Sequence, residues 1–540
     1  MRGSTYNVNA PIMTLLTAFL VSFTTLCFIA LWMRKRNCRA QSLPPGPKGN
    51  LLVGNIFDLP TSVPWKTYQD WSRVYGDLIY LDLPKQPMVI LGSAKAAFDL
   101  LDKRSDLYSD RPTLVMHELS GWDFVLPLIP YNHKWRTQRR TFHHNFGRQA
   151  IHRYRPVQLK QSRALLGRLL DSHRPQNIPK EIHYTLTATI LEIVYGLDLS
   201  TVNDGYVETL QRAMKGLSAI TVPGAYWVEF MPLLKYIPAW IPCFGRSKRV
   251  ALKILKDVES MRRKPIQRII GTQEPAQVTV QPCVATKMLS ELEDKQSSGT
   301  HGQSEDHWDL IESITATAYG AGADNTSATV QCFFLAMALH PIVQKAAQAE
   351  LDKVVGPNRL PDFQDLGDLV YIQALIMELL RWAVVTPLAI PHRLTEDDEY
   401  RGYFIPKGTV AIANAWSILH DPENFSEPWT FKPERFIKNG RIDTSDTLNP
   451  ESIAFGFGRR ICAGADFAKA AIFSIVVSVL HTFNIEMALG DDEAPIDPEN
   501  MMKDDGLVLY PARVPCKLTP RDENAVRLIR ESAVHVEQYQ

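Results

Sequence analysis

Residues Ile12 to Met33 carry no charged side chain, and as a helix at about 1.5 Å per residue the run reaches about 33 Å, enough to cross a bilayer core. Arg34, Lys35, Arg36 and Arg39 follow at once. A secretory signal has a shorter apolar region and a small-residue cleavage site, so this pattern reads as an uncleaved anchor. Positive charge after the span, against Arg2 alone before it, places the rest of the chain on the cytoplasmic side. The expected divisions are a lumenal N-terminus (1–11), the anchor (12–33), a basic, proline-rich linker (34–50), one large folded domain (51–520) and a polar C-terminal tail (521–540).

The linker ends in Leu43-Pro44-Pro45-Gly46-Pro47, where locked φ angles and missing N–H donors predict a stiff extended connector. Leu78 to Leu83 and Pro87 to Leu91 predict short strands around a turn, and Thr386 to Ala413 predicts a second strand-rich stretch. Between them the periodicity is mostly helical. From Trp308 to Leu339 apolar residues surround the whole circumference, which predicts a buried helix crossing the centre of the protein and ended by His340-Pro341. Leu217 to Phe244 is also apolar, but Glu229, Lys235 and four prolines break it, so it cannot span as one helix. It either dips into lipid headgroups or packs on the core as an amphipathic element. Glu293 to Asp306, rich in Ser, Gly, Gln and charge, predicts a long flexible loop. No internal repeat is evident, and the fold class is mainly α with a small β part.

Composition narrows the function by exclusion. A formal charge of +1, from 59 basic and 58 acidic residues, supplies no field for nucleic acid. The seven cysteines are odd in number and lack C-x-x-C spacing, which suggests neither a disulfide scaffold nor a zinc site and fits a reducing compartment.

Candidate chemistry centres on Phe455-Gly456-Phe457-Gly458-Arg459-Arg460-Ile461-Cys462-Ala463-Gly464. Two glycines before Cys462 allow a tight turn where a side chain would collide with a flat macrocycle, and Gly464 lets the next helix start close by. The apolar run Ala470 to Leu480 puts Cys462 at a helix N-terminus, where free N–H groups and the dipole favour thiolate, the form that ligates iron. Arg460 can offer a fixed cation to a heme propionate. Taken alone, a lone cysteine in such a turn is more often structural. Two further pairs share a helical face: Glu378 with Arg381, and Trp135 with Arg139. An isolated E-x-x-R is usually a solvated salt bridge.

Phe455, Gly458, Arg460, Cys462 and Gly464 fill every fixed place of F-x-x-G-x-R-x-C-x-G, the heme-binding signature of the cytochrome P-450 family, which the chain resembles from Pro44 through Cys462 and the helix behind it. The resemblance implies the cytochrome P-450 fold behind an N-terminal transmembrane helix, with 51–520 as a heme-thiolate catalytic domain. It implies heme b held by Cys462 as the axial ligand to iron, with Trp135, Arg139 and His392 at the propionates. Arg393 is the alternative to His392. Pro433-Glu434-Arg435-Phe436 follows in the family's order, which makes Glu378, Arg381 and Arg435 a buried charge network instead of a surface pair. Ala321-Gly322-Ala323-Asp324-Asn325-Thr326 resembles the family's oxygen-activating pattern but departs at Asn325, where the usual threonine hydroxyl assists dioxygen and proton delivery. Thr326 lies about 100° further round the helix, so it should point elsewhere unless Gly322 permits local unwinding. Asn325 either orders distal water or is a tolerated polar residue, and Asp324 is the expected link to solvent.

The implied reaction is monooxygenation of a small hydrophobic or aromatic substrate by dioxygen at the cytoplasmic face of the endoplasmic reticulum membrane. Electrons would come from NADPH through NADPH-cytochrome P-450 reductase, with cytochrome b5 as a second donor. Lys134, Arg136 and Arg140 either dock that reductase or form a solvated face. Thr113 to Pro130, Tyr226 to Phe230, Val384 to Ile390 and Gly506 to Leu509 are candidate pocket walls. The run Trp382 to Asp421 resembles fungal members that oxidise secondary metabolites, similar to O-methylsterigmatocystin oxidoreductases, which points to terpene, polyketide or indole compounds. Two rivals remain: an oxygen-independent dehydratase or isomerase on the same scaffold, and a membrane-tethered heme sensor without turnover.

Overall fold

The computed structural model describes residues 42–50, 53–84, 86–171, 178–201, 205–221, 224–242, 245–271, 282–297, 304–488, 501–504 and 506–538. The expected anchor (12–33), the N-terminus before it and most of the linker lie outside the described residues. The architecture is mainly helical, with one four-stranded sheet and four two-stranded pairs among the described residues.

The sheet forms where the alternating and β-branched runs lie. Strands β1 (Leu78–Leu81) and β2 (Met88–Leu91) pair antiparallel, with Leu78 opposite Leu91. The strand-rich stretch supplies β3 (His392–Arg393), β4 (Asp398–Tyr400), β5 (Tyr403–Ile405) and β6 (Val410–Ala413), with β4 and β5 forming a separate hairpin. β6 lies parallel to β2, Met88 opposite Val410, and β3 closes the sheet antiparallel to β6 with His392 opposite Ala411. Every residue of β1, β2 and β6 is buried, so both faces of these strands are covered.

Among the described residues the helices include α1 (Val115–Leu119), α2 (His133–Phe146), α3 (Arg155–Asp171), α4 (Ile178–Tyr195), α5 (Tyr206–Thr221), α6 (Ser304–Leu339), α7 (Val370–Trp382), α8 (Ala465–Thr482) and α9 (Glu523–Gln538). α6 is the central helix that the apolar circumference predicts; 36 residues at about 1.5 Å each make it about 54 Å long. It is unbroken through Gly322, so the unwinding considered there does not occur. Gly322 serves packing instead: a Cβ on it would meet Ile190 Cδ1 of α4 at 2.8 Å. His340 ends the helix, and the chain bends by 105° into the helix that starts at Pro341. α8 is long and apolar enough to cross a membrane, but it is mostly buried in the protein and is a core helix.

Two expectations at the chain's polar stretches change. The predicted loop from Glu293 to Asp306 is helical at both ends, where helix Val284–Ser297 and the start of α6 run into it. The predicted tail is α9, which packs on α3 and buries Ala525, Leu528 and Ile529. An apolar stripe three to four residues apart in a polar segment is enough to dock a helix. The stretch Leu217 to Phe244 continues from α5 into short 3-10 turns that leave Trp227, Met231, Leu233, Tyr236 and Trp240 exposed.

Candidate active site

Cys462 sits in a loop closed by its own backbone: its N–H donates to the Phe455 carbonyl at 2.7 Å, and Arg460 N–H donates to Phe457 at 3.0 Å. Gly456 and Gly458 both have positive φ, +78° and +50°. The reason for Gly458 differs from the expected clearance of a macrocycle. A Cβ there would meet the Leu101 carbonyl oxygen at 2.4 Å, so the constraint is a neighbouring protein backbone. Gly464 is the opposite case, since a Cβ on it meets nothing within 4 Å and would enter the cavity that the loop borders. Phe455, Gly456 and Cys462 line that cavity, about 250 Å³, so the exposed surface of the cysteine faces it. Burial pushes the Cys462 thiol up, while the Gly464 N–H and the Arg139 cation pull the other way.

Cations collect around the same cavity. Asn132 caps α2 by accepting from Trp135 N–H at 3.0 Å, which aims Trp135 and Arg139 inward. Arg460 lies with its guanidinium carbon 4.5 Å from the Trp135 ring centroid and donates to Ser109 O at 2.6 Å and Ile129 O at 3.0 Å. Its Nη1 is buried without a partner. Arg139 makes no hydrogen bond or ion pair with a described residue. His392 is buried, and its Nδ1 donates to Tyr108 O at 2.8 Å, because a carbonyl can only accept. Burial, with Arg111 and Arg460 nearby, holds its pKa well below the usual imidazole range. Arg393, the alternative, is committed to Asp110 through two hydrogen bonds.

Sequence reasoning missed Arg111. It lines the cavity and is anchored by donating to Pro127 O at 2.8 Å, Ile390 O at 2.8 Å and Pro391 O at 2.7 Å. Only closure of the sheet brings residues 110–111 beside 390–393, and no local pattern signals it. The unpartnered cations, the open space beyond Gly464 and the thiol facing it fit heme. Cys462 would hold the iron, and Trp135, Arg139, Arg460, His392 and Arg111 would hold the propionates.

The opposite wall comes from α6. Asn325 and Thr326 both line the cavity, although the helix is regular, as do Thr317, Ala321 and Thr329. Thr326 Oγ1 donates back to Gly322 O at 2.9 Å, which leaves the hydroxyl oxygen free to accept. Asn325 Oδ1 is buried without a partner. Asp324 is not the link to solvent that the sequence suggested. It is buried, turned towards α4, with Oδ1 3.5 Å from His183 Nε2. His183 Nδ1 in turn lies 3.3 Å from Thr187 Oγ1.

Behind the heme side, Glu378 and Arg381 of α7 are both 0% exposed and pair through two hydrogen bonds of 2.8 Å. Arg381 also donates to Leu419 O at 3.1 Å and Pro428 O at 2.7 Å, and Glu378 accepts from Lys432 N–H at 2.8 Å. Arg435 brings Nε to 3.1 Å from Glu378 and donates to Ser426 O at 2.6 Å. The three charges thus clamp the segment around 419–435 onto α7. On the outer face of α2, Lys134 pairs with Asp309 at 3.0 Å, Arg136 lies over Tyr131 at 5.0 Å, and Arg140 is exposed.

A mainly helical chain with a cysteine loop, convergent cations and a polar break on the facing helix defines a heme-thiolate protein. The family model for cytochrome P-450 matches residues 44–514. A cytochrome P-450 monooxygenase of Coprinopsis cinerea is 39% identical, with 92% of each chain covered. Another from the same fungus is 37% identical over 93% of this chain and 96% of its own. A tryptamine 4-monooxygenase of Psilocybe cyanescens is 34% identical over 92% of this chain and 96% of its own. The chain belongs to the cytochrome P-450 monooxygenase family, whose members use heme and electrons from a redox partner.

Proposed function

We propose that this protein inserts one oxygen atom from dioxygen into a small hydrophobic or aromatic substrate, by hydroxylation or epoxidation, in fungal secondary metabolism. One observation carries the reading: Cys462, Asn325 and Thr326 line one cavity, whose apolar lining includes Val384, Val385 and Ala389. Heme, when bound, supplies the oxidising chemistry. The chain's residues do the rest. The apolar wall selects and orients the substrate and excludes water, while Asn325 and Thr326 hold a proton-bearing water beside it. The tryptamine-oxidising relative supports an indole-sized aromatic substrate, with terpenoid and polyketide skeletons as the other classes.

Electrons would arrive from NADPH through NADPH-cytochrome P-450 reductase, with cytochrome b5 as a second donor. Exposed Arg136 and Arg140 on α2 support docking of an acidic partner there. The exposed aromatic and aliphatic side chains from Trp227 to Trp240, with the uncharged run 12–33, support a single-pass protein resting on endoplasmic reticulum lipid with this domain on the cytoplasmic side. Asn325 in place of threonine is the observation that favours the second reading, an oxygen-independent rearrangement.

The test is incubation of microsomes holding the chain and its reductase with indole, terpene and polyketide candidates under isotopically labelled dioxygen. One labelled oxygen in an NADPH-dependent product is expected. A rearranged product formed without NADPH would overturn the reading in favour of the second.

A further inference from the structure

A second cavity of about 130 Å³ lies against α1, the end of α5 and strands β2 and β6. Its walls are mainly aliphatic, among them Leu59, Leu83, Met88, Ile220 and Ile412. Arg111 and Ile390 line both this cavity and the heme cavity, so they form the partition between them. Neither charged group here is idle. Arg111 is held by three carbonyls, and both carboxylate oxygens of Glu229 accept from α1, from Val115 N–H at 2.9 Å and Met116 N–H at 2.8 Å.

His117 differs. Its Nε2 lies 3.3 Å from Thr221 Oγ1, and that hydroxyl directs its single proton to Leu217 O at 2.8 Å. Thr221 can then only accept, so Nε2 carries the ring proton. Burial pulls the His117 pKa down to about 4, which keeps the ring neutral and leaves Nδ1 with a lone pair. Nδ1 has no partner among the described residues, yet it is not among the sealed, unsatisfied atoms. It therefore has open surface, and the residue lines this cavity. A hydrogen-bond acceptor fixed in one tautomer by a neighbouring element is a recognition point for a donor.

We propose that this cavity holds a neutral, largely aliphatic molecule bearing a hydroxyl, which donates to Nδ1 of His117 while the hydrocarbon part lies against the aliphatic walls. Arg111 and Glu229 carry opposite charges and favour neither a cation nor an anion. This deepens the proposed function and rests on it only for the fate of the molecule, which would be oxidised beyond the Arg111–Ile390 partition. The reaction that supplies such a substrate is one that leaves a hydroxyl on an aliphatic skeleton.

The experiment uses 1-octanol and its isomer methyl heptyl ether, which match in formula and differ in the O–H donor. Binding to the heme-loaded full chain is measured by calorimetry, with phenylimidazole saturating the heme cavity. Octanol should bind about tenfold more tightly than the ether. His117→Leu should bring the two within twofold while the carbon monoxide spectrum stays unchanged, and His117→Gln, whose amide oxygen accepts, should recover at least half of the preference. Equal binding in the native protein, a preference that survives His117→Leu, or loss of octanol binding on adding phenylimidazole would each overturn the proposal. None of these readouts requires turnover, so a failure to incorporate oxygen would count against the proposed function alone.

Discussion

Asp324 Oδ1 lies 3.5 Å from Nε2 of His183 on α4, while the adjacent Asn325 faces the other way into the heme cavity. A turn of about 100° per residue separates the two carboxyl-derived side chains onto different surfaces of one regular helix. Of these two, the group facing the cavity is the carboxamide, and under the proposed function it is the one whose loss should be felt during turnover. Asn325→Ala should raise peroxide formed per NADPH consumed several-fold, and Asn325→Thr should stay within twofold of the native ratio. Unchanged coupling in the alanine variant would remove Asn325 from any role in holding water.

Glu378→Gln leaves the guanidinium of Arg381, 0% exposed, without its counter-charge. Loss of one partner of a buried pair costs about 3–5 kcal/mol. Urea unfolding should show that loss, and the double variant Glu378→Gln with Arg381→Met should recover part of it, because one stranded cation, Arg435, then remains in place of two. A double variant as unstable as the single one would mean that the carbonyl contacts of Arg381, and not the ion pair, hold the 419–435 segment to α7.

The order of elements and the heme-side loop were legible because they are written in local pattern. The uniform apolar surface of α6 and the glycine-spaced Cys462 loop each depend on residues a few positions apart. What was illegible depends on closure of the chain. Arg111 meets Ile390 and Pro391 only when β3 seats beside β6, and Asp110 takes Arg393 from the propionate role by the same closure. His183 reaches Asp324 only because Gly322 lets α4 approach α6 closely. The C-terminal helix is hard to read in the sequence for a different reason. Its mean polarity hid the three apolar positions that dock α9 on α3.

The two glycines flanking Cys462 should respond oppositely to alanine. At Gly458, φ is +50° and a Cβ would lie 2.4 Å from Leu101 O, so Gly458→Ala should lower the melting temperature of the protein itself, with strain of about 1–3 kcal/mol. At Gly464 a Cβ finds open space, so Gly464→Ala should leave the heme-free protein as stable as before. The added methyl enters the cavity instead, and the heme-to-protein absorbance ratio should fall. Equal effects of both variants on the heme-free melt would show that the cavity side of the loop is not open as described.

Stability should also fall on mild acidification, before ordinary carboxylates titrate, because of His420. The ring is buried between Trp416 and Trp429, with centroids 4.3 Å and 4.4 Å away, and its Nδ1 donates to Trp416 O at 3.0 Å. Burial, reinforced by the Arg381 cation, depresses its pKa to about 3. An unfolded histidine titrates near pH 6.5, so the folded state is favoured above that value. As pH falls towards the folded value, the unfolded chain gains a proton that the native ring refuses, at up to about 1.4 kcal/mol per pH unit. Between pH 6.5 and 5.0 the native protein should therefore lose about 1.5 kcal/mol more stability than His420→Phe, which keeps the aromatic stack but cannot titrate. His117 and His392 act in the same direction in both proteins and cancel in the comparison. Urea midpoints of the two proteins measured across that window decide the matter, and parallel pH slopes would mean that His420 is protonated, or reached by water, in the folded state.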